Sequence, residues 1–250
     1  MRPTIRLVLT TALRDRFFVS LFGLIAGALA LSIYLGGAAL MEQAQATVVY
    51  AAGSARLILV LAITVFVAFH VERLYDTREI EAILSRAISK PQFVIAMWIG
   101  LVGITLMLVV PVTAAVYAFS VTPVGTFYWC VSLVLEAMIV AAFVLFAALT
   151  MERAIPTIFA TIGFYALARL VGLLTSLTTF GQQSGVNRVT NPVADLISVM
   201  VPRLDLFGQT RWLVYGPESG ETLTLIVVQG FIYVPLLILA AIFDLRRKQF

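Results

Sequence analysis

From Phe17 to Leu40 the chain carries no charged residue for 24 positions. A helix rising about 1.5 Å per residue over that length crosses the roughly 30 Å of a bilayer's hydrocarbon core, and the run is longer than the h-region of a signal peptide. An Ala-x-Ala pattern at Ala44 to Ala46 keeps cleavage open as an alternative. The same kind of run recurs along the chain. With 12% charged residues in 250 and a mean hydropathy of +1.03, the sequence holds about half the charge of a soluble domain. An integral membrane protein follows.

The reading is an all-α protein with six transmembrane helices forming a single domain over 1–250. An interfacial helix at 2–16 carries Arg2, Arg6, Arg14 and Arg16 beside an apolar side of Ile5, Leu9, Ala12 and Leu13. The spans fall at 17–40, 48–71, 92–119, 127–150, 156–177 and 222–243. Ser120 to Thr126, with Pro123 and Gly125, reads as a tight turn. Pro111 and Pro235 lie inside spans as kink positions, since a helical proline removes a backbone bond. Segment 178–221 turns polar and Gly-rich, with short helices expected from Asn191 to Met200 and near Leu204 to Leu213.

One amphipathic stretch stands apart, ERLYDTREIEAILSRAISKP at 72–91. Its spacing predicts a helix over 76–89, with Asp76 and Glu79 as a capping box. Ile80, Ile83, Leu84, Ala87 and Ile88 form one apolar stripe, and Arg78, Glu81, Ser85 and Arg86 lie opposite. Pro91 ends it and suits the first turn of the next helix. Between two spans, such a helix lies along the membrane surface.

Basic residues orient the bundle. With the N-terminus inside, 12 of 17 lysines and arginines fall on the inner side. Arg56, Arg188, Arg203 and Arg211 fall outside, and Arg169 lies within the fifth span. The positive-inside rule then places both termini in the cytoplasm, as in a bacterial inner membrane. The net charge of +4 is explained by this distribution, so no nucleic-acid partner is expected.

Catalytic and metal motifs are missing from the sequence. His70 is the single histidine and Cys130 the single cysteine, and there is no H-E-x-x-H, G-x-S-x-G or Walker loop. The expectation is a chain that is not an enzyme and holds no cofactor or metal. Two ionisable groups, Glu136 and Arg169, fall near mid-membrane, where charge is costly. They form either a clamp between helices or the lining of a substrate path. In the outer segment, Arg203, Asp205, Phe207 and Trp212 compose either an interfacial loop or an outer gate.

REIEAILSRAISKPQFVIAMWIG at 78–100 resembles the segment after the second span in permease subunits of ABC-2 type transporters, including NosY-like and CcmB-like membrane proteins. The match rests on Ile83, Leu84, Ser85, Ile88, Ser89, Lys90, Gln92, Phe93, Val94 and Gly100. Pro202 to Phe207 with Trp212, Val214, Tyr215 and Gly216 resembles that family's outer loop. Ala87 departs from a common proline, and Met97 from a common lysine. The resemblance implies an exporter subunit that pairs with a second permease subunit and with separate ATP-binding subunits, which would carry the ATP and Mg. It also implies that 76–89 is the coupling helix, offering Asp76, Arg78, Glu79, Glu81, Ser85 and Arg86, with Glu152 and Arg153 as a second contact. A stand-alone channel or proton-coupled carrier using Glu136 and Arg169, and a non-transporting membrane scaffold, are the alternatives.

Overall fold

The computed structural model describes residues 16–38, 43–84, 89–180, 201–217 and 220–248. Among them there is no strand. The helices are α1 (Arg16–Gly37), α2 (Gln43–Asp76), α3 (Glu79–Leu84), α4 (Lys90–Tyr117), α5 (Pro123–Met151), α6 (Ala154–Phe180), α7 (Arg211–Tyr215) and α8 (Glu221–Arg247), with a 3-10 turn at Leu206–Gly208. Five of them, α2, α4, α5, α6 and α8, are long and apolar enough to cross a membrane. In α1 the described apolar stretch, Gly23–Gly37, is shorter.

α5 is the centre of the bundle and packs against α2, α4, α6, α7 and α8. Small residues make this possible: Ala137, Ala141, Ala142, Ala147 and Ala148 are all buried along it and let neighbouring backbones approach. Trp129, Leu133, Leu145 and Leu149 fill the spaces between them. α6 and α8 lie at the periphery, with Ile155, Phe159, Phe231 and Leu239 exposed as lipid-facing residues would be. α1 packs chiefly along α2.

The helix limits differ from the sequence reading where local chemistry competes. α2 runs on through Glu72 to Asp76, five residues past the expected end, so Asp76 is its last residue and not the cap of a surface helix. The Asp76–Glu79 capping box is therefore not formed. Thr77 N–H instead bonds to the Arg73 carbonyl and Arg78 N–H to that of Tyr75, and Arg78 takes a left-handed φ of 55° that breaks the helix. α3 then spans six residues, with Ile80 buried and Ile83 packed on the core as the stripe required. A box-like contact is found one helix later, where the Gln92 side chain accepts from Ser89 N–H at 3.2 Å and Pro91 sits in the first turn of α4. Ser85 and Arg86, the 2–16 segment up to residue 15, and the helix expected from Asn191 lie outside the described residues.

Pro123 and Gly125 belong to α5 and not to a turn. Pro123 opens the helix, and the reversal is completed over Ala118 to Thr122. Gly125 is required by close approach, because a Cβ there would lie 1.7 Å from the Trp212 carbonyl oxygen. The α5–α6 connection is only Glu152 and Arg153, with Glu152 at φ 60°, and Pro156 falls in the first turn of α6 as expected. α4 and α8 stay helical through Pro111 and Pro235.

Candidate functional site

Glu136 lies near the middle of α5 and is fully buried. Both of its oxygens are occupied. Oε1 accepts from Arg169 Nη2 at 2.7 Å and from the Tyr165 hydroxyl at 3.0 Å, while Oε2 accepts from Arg56 Nη1. The expected pairing of Glu136 with Arg169 is thus present, but as half of a larger cluster. Its position at the head of an uncharged run places Arg56 at the outer margin. Instead it lies inside α2, 3% exposed, with Nη2 donating to Ser132 Oγ at 3.1 Å and the guanidinium 5.4 Å from the Trp129 ring.

Helical spacing assembles the α6 half. Tyr165 and Arg169 are four residues apart, so they share a face and Arg169 Nε donates to the Tyr165 hydroxyl at 3.0 Å. On α5, Ser132 and Glu136 stand at the same interval, facing α2 and α6 together. Lipid supplies no counter-charge, so a carboxylate between two guanidiniums is the arrangement that lets three helices bring ionised groups to this depth. Arg56, Ser132 and Tyr165 escaped the sequence reading. The available signal was that Arg56 is the one charged residue over 43–71 and needs an internal partner at matching depth.

The segment 201–217 folds back against this cluster. Leu204 N–H donates to the Ala168 carbonyl at 3.2 Å, and Arg203 N–H to Gln229 Oε1 at 3.0 Å. Gly208 abuts Arg169: a Cβ on it would lie 2.0 Å from Nη1. Phe207 and Trp212 are buried in a core with Ile139, Ala168 and Ile226 and so are packing residues, while Arg203 pairs with Asp205 at 3.1 Å. Farther along, Thr122 Oγ1 donates to the Trp212 carbonyl at 2.8 Å and the Tyr215 hydroxyl to Gln45 at 3.0 Å, tying the segment to the starts of α5 and α2.

A second polar network occupies the opposite end. Arg153 Nη1 lies 3.8 Å from Asp76 and 4.0 Å from Glu72, and Glu72 also accepts Ala154 N–H at 3.1 Å. Lys248 Nζ donates to the Leu149 carbonyl at 2.6 Å and to Glu152 at 2.5 Å, while Lys90 Nζ donates to the Lys248 carbonyl at 2.6 Å. Tyr75 OH reaches the Leu149 carbonyl at 3.1 Å. The ends of α2, α5 and α8 and the starts of α4 and α6 are joined here. Of the residues expected at a partner contact, Asp76, Glu152 and Arg153 meet in this network, and Arg78, Glu79 and Glu81 follow directly on the adjoining turn and α3.

Among the described residues no group of three or more histidine, cysteine, aspartate or glutamate side chains could hold a metal. His70 is buried and stacked on Phe66 at 5.5 Å between centroids. No protein-family model and no curated protein sequence matches the chain significantly.

Proposed function

We propose that the protein is the permease subunit of an ATP-driven transporter of the ABC-2 type, an exporter working with a second permease subunit and a separate ATP-binding subunit. In this reading α1 is a sixth crossing, and the network end, with both termini, faces the cytoplasm of a bacterial inner membrane. The observation that carries it is the meeting of the α2 end with the two-residue α5–α6 connection in one polar patch, with α3 following directly on that end of α2. A soluble partner touching that patch touches two connections at once. Ile80 anchors α3 to the core, so a push on its exposed charged side is passed into α2 and α4. The resemblance of 78–100 to the family's post-second-span segment points the same way.

Co-purification from the native membrane tests the reading. A Walker-containing ATPase should accompany the protein, and the double reversal Glu81→Lys with Arg153→Glu should abolish stimulation of its ATP hydrolysis while the bundle stays folded. Unchanged stimulation would remove the coupling assignment, and transport by the isolated protein in liposomes would favour a stand-alone carrier.

A further inference from the structure

Counted by charge, the mid-bundle cluster does not balance. Glu136 brings one negative charge to two guanidiniums, Arg56 and Arg169. The adjoining Arg203–Asp205 pair contributes one charge of each sign. Among the described residues of this region, a surplus positive charge therefore stands in low-dielectric surroundings. Hydrogen bonding is unbalanced in the same sense. Among the residues of the cluster and the adjoining pair, Arg56 Nε, Trp129 Nε1 and Arg203 Nε are buried donors without an acceptor, against one buried acceptor without a donor, Asp205 Oδ1.

The surplus is accessible at only one side. Arg56 is sealed in the core, whereas the side chains of Arg169 and Arg203 are 25% and 37% exposed. These two are brought near each other by α6. Leu204 bonds to the Ala168 carbonyl, Gly208 rests on Arg169, and the Asp205 carboxylate gripped by Arg203 lies against Gly172, one turn beyond Arg169. On α6 itself, Ile162, Leu167 and Leu170 are exposed apolar residues.

We propose that the accessible edges of Arg169 and Arg203 bind an anionic, oxygen-bearing group, a carboxylate or phosphate monoester. Guanidinium presents paired N–H donors that match two oxygens of such a group, and the match is strengthened away from water. The anion would neutralise the surplus charge, and an attached apolar chain would lie on the exposed flank of α6. As cargo chemistry this rests on the transport reading, which makes the translocated species acidic. The binding site itself does not need that reading.

The test measures binding to the full-length protein in zwitterionic nanodiscs, without ATP or partner, using dodecyl phosphate, inorganic phosphate and dodecyltrimethylammonium. Dodecyl phosphate should bind saturably, at least tenfold more weakly to Arg203→Gln and to Arg169→Gln, with Arg169→Lys intermediate and no binding of the ammonium probe. Tighter binding of dodecyl phosphate than of inorganic phosphate assigns an amphiphile, and equal binding assigns a free anion. Should Arg169→Gln fail to fold, Arg203→Gln decides, since it leaves Glu136 and both of its guanidinium partners in place. Binding unchanged by Arg203→Gln, or equal binding of the ammonium probe, overturns the site. ATP-dependent transport that survives such a result would show that the site alone has failed, whereas binding by a protein with which no ATPase co-purifies from the native membrane would sink the transport reading and leave the site.

Discussion

The protein contains two ionic assemblies built from the same side-chain types in opposite surroundings. Around Glu136, three helices converge on one buried carboxylate. At the α5–α6 end, Glu72, Asp76, Glu152, Arg153 and Lys248 form a looser network with Arg153 69% exposed. In the first, Glu136 and Arg56 depend on their partners because neither water nor salt can replace them. In the second, solvent can, and many exposed ion pairs contribute nothing measurable. Their roles divide accordingly: the first fixes the register of α2, α5 and α6, and the second remains open to rearrangement or to a partner.

Glu136→Gln should have the largest effect, because it leaves two guanidiniums facing each other in the core. Removing one partner of a buried ion pair costs about 3–5 kcal/mol, read as lost monodisperse yield and a lower unfolding midpoint in detergent. Arg56→Gln should rescue this variant better than Arg169→Gln, since Arg56 has no route to solvent. Equal stability of Glu136→Gln and the parent would break the contrast.

Gly208→Ala should come next. Its methyl group would occupy the place of Arg169 Nη1 and push that side chain off Glu136 without altering any charge, costing about 1–3 kcal/mol by overpacking. Thermal unfolding set beside Gly163→Ala, where a Cβ meets nothing within 4 Å, isolates the effect. A Gly208 variant as stable as the Gly163 variant would show that the 201–217 segment does not press on the cluster.

Lys248→Ala removes a cation from the C-terminal carbonyls of α5 and should cost about 0.5–1 kcal/mol, diminishing at high salt. Smallest of all, Arg153→Ala should change unfolding by no more than about 0.5 kcal/mol. A larger loss at Arg153 than at Lys248 would mean that the α5–α6 connection is held more rigidly than its exposure indicates.

Much of the bundle was legible in the sequence, because lipid-like runs declare themselves through composition alone. Five long apolar helices lie within a few residues of the expected spans. Their ends were less legible. α2 outruns its uncharged segment because Leu74 is buried against the bundle and the Tyr75 hydroxyl reaches the Leu149 carbonyl, partners that linear reading cannot supply. The Asp76–Glu79 spacing fitted a capping box, but tertiary packing of Leu74 and Tyr75 kept Asp76 helical. In the cluster, Glu136 and Arg169 stood out by depth within their runs. Arg56 did not, since it sits at the head of its uncharged run and matches an interfacial charge equally well. Phe207 and Trp212 looked like interfacial aromatics for the same reason: amphipathic composition does not reveal whether a segment lies on the bundle or folds into it.

The length of α2 has a mechanical consequence. Its 34 residues extend for roughly 50 Å at about 1.5 Å per residue. Arg56 pins it roughly 20 Å from its Gln43 end and roughly 30 Å from its Asp76 end. A rod held at such a pivot responds to force by tilting, not by sliding. Each degree of tilt would carry the Asp76 end about 0.5 Å one way and the Gln43 end about 0.3 Å the other, given those lengths. With its end ties at Gln45 and Asp76 released, α2 would swing about Arg56 as a lever with the longer arm at the network end, so a push applied there would reach the far side reversed in direction and reduced in stroke.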